Sequence, residues 1–192
     1  MPGLKEVRIR IASVKSTQQI TKAMKMVAAS KLRKAQMAIV RLRPYAAKMN
    51  EIMQNLSASM GDSGESIYTK TRTPEKILLV VITSNRGLCG GFNSNIIKAT
   101  LNLLATTYAE QAKKGNVSLI TIGRKGTEYF RKRGYKVMES YDELFDRLTF
   151  DNVAPLAEQL MKAFADKKQD CIQIVYNQFK NAAVQRLVVE QY

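Results

Sequence analysis

A stretch of 57 residues, Leu4–Met60, predicts one long helix at the start of the chain. It contains no glycine and a single proline, Pro44, which we expect to cause a mild kink because the spacing continues in phase beyond it. An apolar side chain recurs every three or four residues, and this period is typical of a coiled-coil seam. The apolar seam positions are Leu4, Val7, Ile11, Val14, Ala28, Leu32, Ala35, Ile39, Leu42, Ala46, Met49, Met53, Leu56 and Met60.

The seam requires a partner helix. A helix of this length is about 85 Å long at 1.5 Å per residue, which is far more than a compact domain can cover. The 192 residues contain no second stretch of comparable length and spacing. The sequence therefore predicts that the partner of this helix lies outside the chain.

Three polar residues, Gln18, Thr21 and Lys25, interrupt the seam, while Ile20 and Met24 supply apolar side chains one position earlier. This rotation of the apolar face has two interpretations. The rotation marks either a place where the coiled-coil seam is packed more loosely or a zone of contact with a second, acidic partner. The lysines and arginines that cluster around it are Lys22, Lys25, Lys31, Arg33 and Lys34.

Positive charge is concentrated in the predicted helix. The chain has a net charge of +15, and residues 1–50 hold 12 lysines and arginines against Glu6 alone. A basic helix of this kind could bind nucleic acid, an acidic membrane surface or an acidic protein, or its charges could simply be solvated. A merely soluble helix would mix Glu with Lys four residues apart, and this one does not.

Composition excludes several classes of protein. The chain has no histidine, which excludes Ser-His-Asp and Cys-His nucleophiles and makes a zinc site improbable. Cys89 and Cys171 form no C-x-x-C pair and are expected to be free thiols in a reducing compartment. No apolar run approaches the roughly 20 residues of a membrane span, and no secretory signal is recognisable.

After Pro74 the pattern changes to alternating strands and helices. A continuous apolar run over 76–83 (KILLVVIT) is typical of a strand buried on both faces. We expect further strands over 117–122, 135–140, 171–176 and 184–190, and helices over 97–115, 124–133 and 153–164, the last with Pro155 in its first turn. The predicted fold is a mostly parallel, doubly wound α/β sheet with an antiparallel edge strand. The predicted organisation is 1–60 helix, 61–75 linker and 76–192 α/β domain.

A glycine-rich loop, 84–93, follows the first strand at the place where phosphate-binding loops occur. Its G-x-x-G-G order matches neither the dinucleotide fingerprint nor the Walker motif, so tight turns are the competing interpretation. Cys89 would be reactive if Arg86 lowered the pKa of its thiol, and is otherwise a small packed side chain. The acidic residues Asp142, Glu143 and Asp146 are interpreted as a solvated surface cluster.

Two stretches resemble one family closely, and the resemblance covers essentially the whole chain. Residues 9–34 (IRIASVKSTQQITKAMKMVAASKLRK) and 83–93 (TSNRGLCGGFN) are similar to the gamma subunit of F-type rotary ATP synthases. Asn85 stands where that family often has Asp. The resemblance implies a Rossmann-like domain and a second, C-terminal shaft helix antiparallel to the first, which is expected to be absent from this chain because it stops at Tyr192.

The resemblance also implies a function. Such a subunit is the noncatalytic central stalk that transmits torque between the proton-driven membrane ring and the catalytic alpha-beta hexamer. Expected partners are the alpha, beta and epsilon subunits and the c-ring, with no cofactor and no nucleic acid. The expected location is peripheral, on the cytoplasmic face of a bacterial inner membrane and attached only through the complex. The start Met1-Pro2-Gly3-Leu4 favours a bacterial source.

The same resemblance assigns contacts to residues of this chain. An acidic segment of the beta subunits would meet Met24, Lys25, Lys31, Arg33 and Lys34. The beta or epsilon subunit would lie near Arg86, Gly87, Leu88, Cys89, Gly90, Gly91 and Phe92. Two alternatives from other classes are a basic coiled-coil nucleic-acid-binding protein with an α/β domain and a nucleotide-dependent α/β enzyme.

Overall fold

The computed structural model describes residues 3–60, 67–69 and 72–192. Contacts divide the chain into two units, Met1–Gly64 and Glu65–Tyr192, which are described separately below. Most of the predicted linker, residues 61–66 and 70–71, lies outside the described residues.

The described residues of the first unit form the helix α1, which spans Leu4–Met60 and continues through Pro44. The sequence-based prediction of a single long helix is confirmed. Every described side chain in it is exposed except those of Gln36 and Ile39, which are half-buried. No helix in the described part of the chain is both long and apolar enough to cross a membrane.

The second unit is built on a five-stranded sheet. Its strands are β1 Ile77–Ile82, β2 Val117–Ile122, β3 Val137–Ser140, β4 Cys171–Phe179 and β5 Gln185–Gln191. Their order across the sheet is β3-β2-β1-β4-β5, and β5 alone runs antiparallel to its neighbour, at one edge. The predicted mostly parallel α/β sheet with an antiparallel edge strand is confirmed.

Four helices connect the strands: α2 Phe92–Ala105, α3 Ala109–Lys113, α4 Arg124–Lys132 and α5 Phe150–Ala165. The helix that was predicted to continue to Gly115 is instead two helices, so this expectation was wrong. The hydroxyl of Thr106 donates to the carbonyl of Asn102 at 2.7 Å, and the N–H of Tyr108 donates to Leu103 at 2.9 Å, five residues back. The regular four-residue ladder therefore ends between α2 and α3.

The position of Pro155 also differs from the prediction. Because α5 begins at Phe150, Pro155 is its sixth residue and lies in the second turn. Its missing N–H leaves the carbonyl of Asp151 without the usual helical donor. The helix start was misplaced because the apolar pattern became visible only at Val153.

Two apolar clusters lie on opposite faces of the sheet. Alternate side chains of a strand point to opposite faces, so that Leu79 and Val81 pack on one side of β1 and Leu78 and Val80 on the other. The first cluster is closed by α2 and α4 and the second by α5. The continuous apolar run of β1 is explained by this double burial.

Candidate partner interface

The apolar seam of α1 is exposed along its length in this chain. Leu4 is 73%, Val14 63% and Leu42 63% exposed, whereas the side chains of β1 are almost fully buried. Monomeric soluble proteins rarely expose contiguous apolar surface of this extent, and such surface marks a place of association. The seam is therefore the largest candidate interface among the described residues.

The polar break in the seam has an internal explanation at one of its three positions. The hydroxyl of Thr21 donates to the carbonyl of Thr17 at 2.8 Å, and that of Thr17 donates to Ser13 at 3.0 Å. Thr21 therefore satisfies its hydroxyl within the helix. The structure offers no comparable explanation for the polar side chains of Gln18 and Lys25 on the seam.

The basic residues beside this break are unpaired in the part of the chain that the structure describes. They are exposed and lie within ion-pair distance of no carboxylate there, while Lys48, farther along α1, pairs with Glu51 at 2.7 Å. This group, which we call the basic cluster, consists of Lys22, Lys25, Lys31, Arg33 and Lys34. Met24, 67% exposed, lies within it and adds an apolar contact.

The glycine-rich loop at the end of β1 presents a second candidate contact. Leu88 has a left-handed backbone (φ 59°) and a fully exposed side chain, and Gly90 follows in the same conformation (φ 57°). A leucine in this region costs about 1 kcal/mol. The loop is thus shaped to hold an apolar side chain in solvent, as a contact with another molecule requires.

Hydrogen bonds at the base of the loop fix its shape. The side-chain oxygen of Asn93 accepts from the N–H of Ser84 at 2.9 Å, and its nitrogen donates to the carbonyl of Arg86 at 3.2 Å. The hydroxyl of Ser84 donates to the same carbonyl at 2.6 Å. Asn93, the second residue of α2, therefore ties the start of the loop to the first turn of that helix.

Asn85 links the loop to two neighbouring segments. Its side-chain nitrogen donates to the carbonyl of Asp142 at 2.7 Å, and its oxygen accepts from the N–H of Arg124, the first residue of α4, at 2.9 Å. A carboxylate at position 85 could make only the second bond. Sequence reasoning noted Asn85 only as a departure from a family pattern and missed this role. The position of this polar side chain, just after a buried strand, was the sequence signal that could have indicated its role.

The two cysteines lie in different surroundings and are both free thiols, as the sequence predicted. Cys89 is exposed, and its sulfur accepts a hydrogen bond from the side-chain nitrogen of Asn93 at 3.2 Å. Cys171 begins β4, with its sulfur 3.7 Å from the hydroxyl of Tyr108. Burial, together with the Cys171 thiol, raises the pKa of Tyr108.

The acidic cluster is partly tied into the fold. Asp142 accepts a hydrogen bond from the hydroxyl of Thr127 at 2.8 Å, and with Glu143 it begins a 3-10 turn that ends at Phe145. The described residues contain no group of three or more histidine, cysteine, aspartate or glutamate side chains arranged to hold a metal ion.

A long helix with an exposed apolar seam, followed by a mixed α/β sheet, defines a protein of the coiled-coil and α/β class. The family model described as ATP synthase matches residues 3–192. The chain is 47% identical over 192 residues to an ATP synthase gamma chain of Cytophaga hutchinsonii and 50% identical over 193 residues to that of Flavobacterium psychrophilum. In both cases the match covers 100% of this chain and 65% of the relative. The chain belongs to the ATP synthase gamma-chain family.

Solved structures agree with this assignment. The fold is similar, with a TM-score of 0.66 and 27% identity, to a chain in the mitochondrial ATP synthase central stalk and c-ring of Tetrahymena thermophila, covering 90% of this chain and 71% of that one. A chain of the Euglena gracilis mitochondrial ATP synthase rotor gives a TM-score of 0.61 at 23% identity, with 96% and 60% covered. At 23% identity, the similarity to the Euglena gracilis chain supports the fold alone. The comparisons give no support to the nucleic-acid-binding alternative.

Proposed function

We propose that this chain is the shaft and foot of a central-stalk rotor subunit in a proton-translocating F-type ATP synthase. The observation that supports it most directly is the exposed seam of α1 in a chain that spans 65% of its curated relatives. The second helix needed to cover that seam is the C-terminal shaft helix that the family resemblance implies. The subunit is noncatalytic on its own.

The mechanism follows from the mechanics of such a pair of helices. Proton passage turns a membrane ring, and each charge that crosses 100 mV supplies about 2.3 kcal/mol. The α/β domain rests on the ring together with the epsilon subunit, and the shaft carries the work as torque into the alpha-beta hexamer. Differential contacts with an asymmetric shaft then give each beta subunit a different nucleotide affinity. Membrane association is peripheral, on the cytoplasmic face of a bacterial inner membrane.

The two smaller candidate surfaces fit the same arrangement. The basic cluster, with Met24, would contact an acidic segment of the beta subunits, because unpaired exposed cations attract carboxylates. The loop from Arg86 to Phe92 would contact the beta or epsilon subunit, with Leu88 as its apolar anchor. The domain division that accompanies this proposal is 1–60 shaft, 61–75 linker and 76–192 foot.

Reconstitution tests the proposal. We would combine purified alpha and beta subunits with this chain and, in a parallel sample, with the chain plus the C-terminal segment of a relative. The expected result is a three-to-three alpha-beta assembly that retains the chain, more tightly when the segment is present. Failure of both samples to co-purify, or a DNA affinity that falls linearly with salt on logarithmic axes, would contradict it.

A further inference from the structure

The segment directly before β1, which includes the last residues of the predicted linker, is held by three separate tethers. It comprises residues 72–76 and lies wholly in the second unit. Connections of this kind usually run loosely over a surface and are the more mobile parts of a domain. Here, within five residues, side chains or backbone groups bond to the end of α5, to α3 and to the start of β4.

The strongest tether is Arg72. Its Nη1 donates to the carbonyl oxygen of Phe164 at 2.8 Å, and its guanidinium lies over the Phe164 ring at 4.4 Å from the centroid. Phe164 is in the last turn of α5, and its carbonyl also accepts a hydrogen bond from the N–H of Lys167 at 3.1 Å. The Arg72 guanidinium therefore adds a second, charged hydrogen bond to this carbonyl, stacks on a ring and opposes the negative end of the helix dipole.

Two further tethers follow directly. The side-chain nitrogen of Gln111, in α3, donates to the carbonyl of Pro74 at 2.9 Å. The backbone N–H of Lys76 donates to the Asp170 carboxylate at 2.8 Å, and the N–H of Asp170 returns a bond to the carbonyl of Lys76 at 2.8 Å. The three tethers therefore connect the segment to α5, to α3 and to the residue before β4.

We propose that residues 72–76 form a load-bearing clamp through which force on the shaft helix enters the α/β domain, with Arg72 as its principal positioning residue. The inference rests on the proposed function, because only a rotor subunit transmits force along this path. Along the chain, pull or twist on α1 reaches the domain through this segment, while the C-terminal shaft helix of the proposed function would form a second connection at the other end of the domain. Without the clamp, residues 72–76 would change conformation under force before the sheet moved, and part of the work would be spent on that change instead of being transmitted.

The test uses the full-length subunit in a reconstituted ATP synthase in vesicles. ATP hydrolysis and ATP-driven proton pumping are measured together, with and without an opposing membrane potential as load. Arg72→Ala is expected to reduce the protons pumped per ATP under load to below half of the wild-type value, with a smaller change without load. Arg72→Lys, which keeps a donor but loses the planar stack, should be intermediate. Arg147→Ala, which removes an arginine with no side-chain tether in the described residues, should match wild type.

A second measurement reports on the clamp itself. Hydrogen exchange at the amide of Lys76, in the same assembled complex, should be roughly tenfold faster in Arg72→Ala, because a charged hydrogen bond and a ring contact are lost. If Arg72→Ala does not assemble, Arg72→Lys and Phe164→Leu test the clamp in its place. Both variants should lower the number of protons pumped per ATP under load. Wild-type ratios in the assembled variants overturn the clamp alone. Failure of the wild-type subunit to restore pumping contradicts the proposed function instead.

Discussion

Thr83 and Gly126 are joined by a hydrogen bond of 2.8 Å from the backbone N–H of Gly126 to the hydroxyl oxygen of Thr83. The same hydroxyl donates to the carbonyl of Gly123 at 3.0 Å, and Thr83 is 1% exposed. A β-carbon at Gly126 would lie 2.9 Å from that oxygen, so the glycine lets α4 approach the end of β1. The base of the glycine-rich loop is thus fastened to the neighbouring helix.

Replacement of Thr83 by valine tests this fastening. Thr83→Val keeps the shape but removes both hydrogen bonds of the Thr83 hydroxyl and leaves the N–H of Gly126 with only its longer bond to the carbonyl of Gly123 at 3.2 Å, so we expect a loss of about 2 kcal/mol in the free energy of unfolding. Thr100→Val is the matched control, because the Thr100 hydroxyl donates only to the carbonyl of Ile96 within α2. Its cost should be below about 1 kcal/mol. Urea titrations of both variants measure the difference, and equal losses would contradict the role of Thr83.

Gly123 should tolerate no side chain. Its φ is 104°, and a β-carbon there would overlap the backbone carbonyl of Thr83. We expect Gly123→Ala to cost about 3 kcal/mol or more, since strain and overlap add. Gly115→Ala isolates the strain, because Gly115 also has a positive φ (72°) but open space around it. That control should lose only about 1 kcal/mol in thermal or urea unfolding. Equal losses would mean that the approach of Thr83 is unimportant.

Tyr141 gives the domain an alkaline limit. Burial and then the hydrogen bond and charge of Glu139 raise the pKa of Tyr141 to about 12, and its hydroxyl also lies 2.7 Å from the side-chain oxygen of Gln159. A folded-state pKa above the unfolded value of about 10 means that its contribution to stability is complete below pH 10. That contribution is lost as the pH rises toward 12. Unfolding titrations between pH 9 and 12 should show a shallower decline in Tyr141→Phe. An unchanged slope would contradict the assignment.

Two apolar residues of α1 with similar exposure should behave differently. Leu42 lies on the seam and is 63% exposed, whereas Val40 is off the seam and 67% exposed. Leu42→Ser should weaken pairing with the C-terminal shaft segment by about 2 kcal/mol, or roughly thirtyfold in the dissociation constant. Val40→Ser should change it little. Sedimentation of the chain with that segment measures both, and equal effects would mean that the seam is misplaced.

Charge reversal in the basic cluster should uncouple the complex. Lys25→Glu or Arg33→Glu in the full-length subunit would set a carboxylate against an acidic partner. We expect roughly tenfold slower ATP synthesis in membrane vesicles, with the unfolding of the α/β domain unchanged. Lys180→Glu, an exposed lysine in the turn before β5, is the control and should support wild-type synthesis. Full coupling in the Lys25 and Arg33 variants would exclude the contact with the beta subunits.

The regular elements could be predicted from the sequence because each has a local signal. The continuous apolar run over 76–83 predicted β1, and the apolar repeat of three or four residues without an intervening glycine predicted α1. The break at Thr106 was missed because apolar residues at Leu104 and Tyr108 keep a helical spacing across it. The contact of Asn85 with Asp142 joins residues 57 positions apart, and local patterns carry no information on such pairs. The partner contacts remain predictions, because other chains determine them.

The rigid base beneath Leu88 has a kinetic consequence. Because Asn93 and Ser84 hold the loop in shape, its ordering occurs when the domain folds and not when a neighbour arrives. An encounter would then need no rearrangement of the loop, and association could approach the rate set by diffusion and orientation. If the proposed function is correct, this loop would form and break its contact with a neighbouring subunit without a delay for folding.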